Sequence, residues 1–326
     1  MKQWKITPLD VGSLSLAQSH VLADGSDPSV RIEFALVSFL LQSGGRNVLV
    51  DLGPKTLEYT NDMFRRYGFF RALPDGTTPD DVVQKQGNVF DHLCRHNLTP
   101  SDITDIIFTH LHADHHGMDD ASDGGACEDF ANAVFHVSKV GWEHNVARRV
   151  DGRWNSYIDW AFGDCMMRKM AEGKMIPSDN GEIAPGLSTV YLGGHSECSQ
   201  GVRVETANGI VIIGSDDFYD YQLMAGGVVG QLCTTRERMV ESNGRLADWA
   251  LDGAVIIPVH DPVVAELYAV HGDDWLIHAR ALSLEAARGF RSVWPNGGAA
   301  KWLHCSSLPA PGTTTNDARD KTLRTT

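Results

Sequence analysis

No stretch of this chain is apolar for long enough to span a bilayer, and its opening, MKQWKITPLD, holds no apolar signal core. The expectation is therefore a cytoplasmic protein without a membrane partner. Cysteine is sparse: Cys94, Cys127, Cys165, Cys198, Cys233 and Cys305 are scattered with no CxxC spacing. That removes a thiolate metal cluster and is simplest to read as reduced thiols. Positive charge is also in deficit, with 28 Lys and Arg against 42 Asp and Glu and a net charge of −14. A surface of that sign repels a phosphate backbone. The nearest basic cluster, Arg148 and Arg149, is a single pair on a solvated helix face, so nucleic acid is not an expected partner.

What is present is globular in kind, with 42% hydrophobic and 21% charged residues. A length of 326 residues sits near the upper limit for one core. The expected organisation is one domain over 1–308 with insertions near 55–88 and 145–180, followed by a Pro/Thr-rich disordered tail over 309–326. Lys5 to Leu16 alternates weakly and reads as an edge strand, and Asp24 to Asp27 as a loop. Ala35 to Leu41 and Asn47 to Val50 are apolar runs joined by Ser43-Gly44-Gly45-Arg46, a hairpin connection, and the second run ends at Asp51-Leu52-Gly53. Val202 to Val204 and Ile210 to Ile213, joined at Asn208-Gly209, repeat the arrangement and end at Gly214-Ser215-Asp216.

Met63, Phe64, Tyr67, Phe69 and Phe70 stand among arginines in a stretch without clean periodicity, a lid or a core-covering insertion. Val89 to His96 suits a short amphipathic helix. Thr99-Pro100-Ser101-Asp102 reads as a second helix start, with Thr99 as cap and Asp102 three residues on. Ile106 to Phe108 is a short buried strand, Asp119 to Asp129 an acidic loop and Ala133 to Val137 a strand. Trp142 to Met175 is helical in composition, and its stripe of Trp160, Phe162, Met166, Met167 and Met170 is of the kind that packs in a core.

The strand at Ile106 delivers THLHADHHG, Thr109 to Gly117, which concentrates four imidazoles and a carboxylate in one turn of backbone. His110 and His112, two apart in extended chain, point to one side and can converge on one ion. Asp114 and His115, beyond a bend at Ala113, can face a second. Imidazole and carboxylate suit Zn, with Fe, Mn or Co as substitutes. Three distant segments also end in metal-compatible side chains: Leu187 to Leu192 at His195, Ile210 to Ile213 at Asp216, and Ala254 to Val259 at His260. Taken singly, Asp216 fits a turn and each histidine a satisfied core position. Together they place candidates at one sheet edge, where open α/β sheets build sites.

His110, His112, Asp114 and His115 resemble the HxHxDH signature of the metallo-β-lactamase superfamily. The resemblance runs from about Lys5 to about Tyr268 and implies an αββα four-layer sandwich holding two divalent ions. It implies His110, His112 and His195 as ligands of one ion, Asp114, His115 and His260 as ligands of the other, and Asp216 as the bridging carboxylate. Asp51, in VDLG, resembles the element that supports the metal loop by hydrogen bonding. His116 and Asp217 have no ligand counterpart and are expected as supporting or surface residues. GSDDFYDY and VIIPVHDPVVAELY resemble the branch of N-acyl-homoserine lactonases, which implies Tyr219 as a donor to the substrate carbonyl and Tyr221 near the pocket. The chain departs from the pattern after His195, where Glu197 and Cys198 replace the usual Pro-Gly.

The implied activity is hydrolysis of a lactone or similar small ester by a hydroxide held between the two ions, with Asp114 and Asp216 beside it. An acyl-homoserine-lactone-type substrate is included. The superfamily also holds glyoxalase-type thioesterases, β-lactamases and RNA-processing nucleases, and flavodiiron proteins, which carry an acidic residue where this chain has His112. A metal-stabilised binding protein is the reading from another class. The expected partner is a small molecule, and a homodimer stays open.

Overall fold

The computed structural model describes residues 3–22, 30–54, 61, 83–84, 87–112, 114–117, 126–147, 160–231 and 233–295. Two sheets face each other. The first runs β4-β1-β2-β3-β5-β6-β7, with β1 Lys5–Ala17, β2 Arg31–Ser43, β3 Arg46–Val50, β4 Val83–Gln84, β5 Asp105–Ile107, β6 Val134–Val137 and β7 Met175–Pro177. The second runs β12-β11-β10-β9-β8, with β8 Glu182–Ala184, β9 Leu187–Tyr191, β10 Gln200–Thr206, β11 Gly209–Ile213 and β12 Val255–Ile257.

Strand β2 is apolar on both faces because each face meets a packed layer. Leu36 and Leu40 point outward with Leu49 and Ile106 onto Val89, Leu93 and Met166. Val37, Phe39 and Leu41 point inward with Val50 and Ile107 onto Val202, Val211, Ile213 and Ile257 of the second sheet. On the far side Ile212 and Ile256 meet Met239, Leu246, Ala286 and Phe290 of the helices Arg236–Leu251 and Trp275–Val293. The order is helix, sheet, sheet, helix, the αββα sandwich. Each fully buried aliphatic or aromatic side chain contributes about 1.5–3 kcal/mol, so the three apolar layers hold the scaffold rigid around the strand ends.

The hairpin at Gly44-Gly45 forms as read: Ser43 pairs with Arg46, and both glycines take positive φ, as a two-residue turn between twisted strands requires. Several expectations are corrected. β1 is not an edge along its whole length, since β4 pairs with it at Ser13 and Leu14. Thr99 starts a single 3-10 turn, Pro100–Asp102, instead of a helix. Thr99 N and Oγ1 both donate to Asp102 Oδ2, at 2.8 and 2.7 Å, but Ile103 is already extended because Thr104 and Asp105 must enter β5. The segment from Trp142 divides into Lys139–Ala147, Trp160–Ala171 and β7, and Ala126–Asp129 is one helical turn within the stretch read as loop. Met166 is buried, and Met167 and Met170 pack beside it.

Cys165 is disulfide-bonded, against the expectation of reduced thiols, while Cys94, Cys198 and Cys233 are free. No other cysteine lies near Cys165 in sequence, so spacing carried no sign of the bond. Among the described residues no helix is long and apolar enough to cross a membrane. The loop read at Asp24 to Asp27 and the tail over 309–326 lie outside the described residues.

Candidate metal centre

β3 and β5 run parallel, so Asp51 at the end of β3 lies beside Thr109 at the end of β5. Asp51 Oδ1 accepts from Thr109 N at 2.8 Å; Oδ2 accepts from Thr109 Oγ1 at 2.7 Å and meets His115 Nδ1 at 2.9 Å. One buried carboxylate thus ties both ends of the histidine loop to the sheet beneath. Gln200 ties the loop to the second sheet, donating from its N to Thr109 O and from Nε2 to Phe108 O, both at 2.8 Å. Neither Thr109 nor Gln200 was singled out in the sequence, where nothing in spacing marks a residue that bonds to a loop's backbone.

Seven predicted residues come together in two groups. His110, His112, His195 and Asp216 form one, Asp114, His115 and His260 the other, and in each the candidate ligand atoms lie within 4.8 Å of one another. Asp216 spans the two groups. Its Oδ2 is 3.7 Å from His110 Nε2 and 3.5 Å from His195 Nε2, while its Oδ1 is 3.4 Å from His115 Nε2 and 3.0 Å from His260 Nε2. Asp114 Oδ2 completes the second group at 3.4 Å from His115 Nε2 and 3.9 Å from His260 Nε2. In the first, His112 Nδ1 and His195 Nε2 are 3.0 Å apart.

The rings are oriented by what their other nitrogens touch. His260 Nδ1 meets Ala35 O at 2.8 Å, His115 Nδ1 meets Asp51, and His110 Nδ1 lies 3.3 Å from Thr109 Oγ1 and 3.5 Å from Ser215 Oγ. His195 Nδ1 faces the Tyr219 hydroxyl at 3.3 Å. In these four rings Nε2 is left to face the interior of the cluster.

Electrostatics follow from burial. Burial pushes His112 down to about 3, aided by neighbouring His195, and drives His110 well below the usual imidazole range with His115 adding to it. Burial also opposes charge on His115 and His260, yet Asp114, Asp216 and Asp51 around the first and Asp216 against the second hold both above that range. Burial raises carboxyls, but His115 brings Asp114 down to about 2, and His260, His110 and His115 keep Asp216 well below the usual range. The cluster sets carboxylates that need cations beside imidazoles of which His110 and His112 are held neutral, with lone pairs to give, while His115 and His260 lean on the carboxylates.

Such a donor set fits two divalent metal ions. His110 Nε2 and His115 Nε2 are buried and without a hydrogen-bond partner among the described residues, a costly state that ligation relieves.

The remaining predicted residues divide. His116 and Asp217 are fully buried, so the surface alternative for them fails. Asp217 reaches the backbone of the His195 loop, a support that the Asp-Asp pair in the sequence does not disclose. Tyr219 lies against His195 and, with ring centroids 5.5 Å apart, against Phe34. Tyr221 does not approach the cluster. Its ring packs on Phe218 in the outer layer and its hydroxyl donates to Ile256 O at 2.8 Å, because Asp220 caps a short helix that begins at Tyr221, with Asp261 accepting from Tyr221 N. Glu197 Oε1 lies 3.5 Å from His144 Nε2, and burial pushes the Cys198 thiol up to about 11, a neutral group packed on the helix Lys139–Ala147. Met63, Phe64, Tyr67, Phe69 and Phe70 lie outside the described residues.

Residues 33–118 match the metallo-beta-lactamase superfamily. The N-acyl homoserine lactonase of Bacillus cereus is 27% identical over 184 residues, 56% of this chain and 63% of that protein. A Bacillus thuringiensis N-acyl homoserine lactonase is 27% identical over 197 residues, 59% of this chain and 67% of its own length. The chain therefore spans about 63% of the length of the Bacillus cereus relative. Among solved structures, a variant of AiiA from B. thuringiensis with N-decanoyl-L-homoserine bound superposes with a TM-score of 0.60 at 21% identity, over 81% of this chain and 95% of that one. AidC, a dizinc quorum-quenching lactonase in complex with its product, gives 0.56 at 15%, over 80% and 90%. These structures share the fold of this chain.

Proposed function

We propose that this chain, with its metallo-β-lactamase superfamily segment and fold, is a binuclear metal-dependent hydrolase that opens a lactone. The observation that carries the reading is Asp216, whose two oxygens divide between the two groups, each within 3.7 Å of two imidazole nitrogens. A carboxylate that faces both groups in this way can be shared by two ions. His110, His112 and His195 would hold one ion, and Asp114, His115 and His260 the other, with Asp216 common to both. Zinc is the proposed ion, on the His and Asp donor set and on the dizinc description of AidC.

Two ions so held supply a Lewis acid and an activated water at neutral pH. The chain's own part is orientation and proton handling. Asp51, Ala35 O and Thr109 fix ring angles in advance of substrate, so no reorganisation is needed during reaction. Tyr219, buried and kept protonated by that burial and by Asp216, is a donor for the carbonyl oxygen of a bound ester. Opening the ring adds the elements of water across the acyl C–O bond; Asp216 is the carboxylate placed to pass the proton to the departing ring oxygen. N-acyl homoserine lactones are the proposed class, supported by the names of the relatives. We include in the reading one domain over 1–308, a small-molecule partner and a cytoplasmic setting.

A pH-indicator screen of the metal-loaded protein against lactones, thioesters, β-lactams and phosphodiesters tests this. Acid release from lactones is expected. Release confined to another class would overturn the lactonase reading.

A further inference from the structure

We propose that Asp217 and Thr234 are a positioning pair that fixes the peptide carrying His195 against the first metal group. The inference rests on the binuclear reading above. Beyond β9 the chain turns at Gly193, which holds φ 71°, a left-handed conformation that glycine adopts without strain. The next two amides are then grasped from both sides. Asp217 Oδ1 accepts from Gly194 N at 2.8 Å and from His195 N at 3.3 Å. Thr234 N donates to Gly194 O at 2.8 Å, and Thr234 Oγ1 reaches Gly193 O and Gly194 O, both at 3.0 Å.

The backbone that carries this carboxylate is itself anchored. Asp217 O accepts from Asn243 Nδ2 at 2.6 Å, and Asn243 also donates to Met239 O at 2.9 Å, both residues of the helix Arg236–Leu251. A Cβ at Gly194 would stand 2.2 Å from Asp217 Oδ1 and 2.3 Å from Ser242 Oγ, so only glycine permits this approach. The successive aspartates divide the work of one 3-10 turn, Ser215–Asp217, entered with Ser215 at φ 56°. Asp216 turns towards both metal groups and Asp217 towards the backbone of a ligand. A charged acceptor on two N–H groups is about twice as strong as a neutral one, and it acts on His195 at the point from which its ring swings.

Cobalt(II) titrated into the metal-free full chain against a chelator, with absorption spectra and Tm, tests the pairing without any substrate. The wild type is expected to bind two ions. Asp217→Ala is expected to weaken one of them by about 10–100-fold and to perturb the bands of one site only, the range for lost outer partners of metal ligands. Asp217→Asn, which keeps an oxygen acceptor, should recover most of that loss. Thr234→Val, which keeps its backbone N–H bond, should weaken the same site severalfold, and carries the test if Asp217→Ala does not fold. Wild-type binding of both ions by Asp217→Ala, or by Thr234→Val in that case, overturns the proposal, as does equal weakening of both ions. A wild type that binds no cobalt overturns the binuclear reading instead, and the pairing with it.

Discussion

Tyr219 and Tyr221 are two residues apart and have opposite fates. The 3-10 turn at Ser215–Asp217 throws Tyr219 back over His195, and the short helix that Asp220 caps, with Asp261 accepting from Tyr221 N, sends the next tyrosine into the outer layer. Removing one preorganised oxyanion donor costs on the order of 3 kcal/mol when nothing else shares the charge. In the proposed centre metal ions would share it. Tyr219→Phe is therefore expected to lower kcat/KM by roughly ten- to a hundredfold with metal content unchanged. Tyr221→Phe is expected to keep kcat/KM and lose about 1 kcal/mol of stability, the worth of its bond to Ile256 O. Steady-state kinetics and urea titration of the two variants check the pair. A kinetic loss in Tyr221→Phe with none in Tyr219→Phe would exchange their roles.

At the scale of elements, β5 carries the metal loop at one end and a buried charge network at the other. Burial alone would raise the Asp105 carboxyl, but His136 at 2.9 Å, Arg46 at 2.6 Å and Thr104 at 2.7 Å outweigh it and hold it at about 2. A depressed carboxyl stabilises the fold above its unfolded value near 3.9 and ceases to do so as pH falls through about 2. Chemical denaturation in chelator should thus find Asp105→Asn less stable than wild type by about 1–2 kcal/mol at pH 6, with the gap closing between pH 4 and pH 2. A gap independent of pH would mean the loss is one of packing.

The same elements mark what could be read from the chain alone. The metal loop and the strand ends at His195, Asp216 and His260 were legible because period-two burial and ligand spacing are local signals. The Thr99 cap misled, since the bonds of a capping box are the same whether one turn follows or four, and the need for Thr104 to enter a parallel strand is not local. Tyr221 points away from the cluster for a like reason: Ile256 O, the acceptor of its hydroxyl, is distant in sequence. The carboxylate of Asp217 bonding to the Gly194 and His195 amides has no pattern at all, beyond the glycine pair that lets it approach.

For the whole molecule, the centre sits where both sheets contribute a ligand or a support and the helix Arg236–Leu251 braces it through Asn243. β3, β5, β9, β11 and β12 each end at it, and Ala35 of β2 holds His260 from the first sheet. Ion binding is then coupled to the packing of the sandwich, because unfolding either sheet scatters the ligands. An ion that binds only the folded state adds RT ln(1 + [L]/Kd), about 2.7 kcal/mol per site at a hundredfold excess over Kd. For a domain of this size each kcal/mol moves Tm by about 1.5–2 °C. Two zinc ions are therefore expected to raise Tm by on the order of 10 °C over the chelator-treated protein, read by calorimetry with zinc buffered at fixed free concentration. Asp216→Asn, which removes the shared charge, should give back more than half of that rise, whereas loss of a ligand private to one group, as in His260→Ala, should cost mainly one ion. An unchanged Tm on adding or removing zinc would uncouple the centre from the fold and would sink the two-ion arrangement of the seven residues.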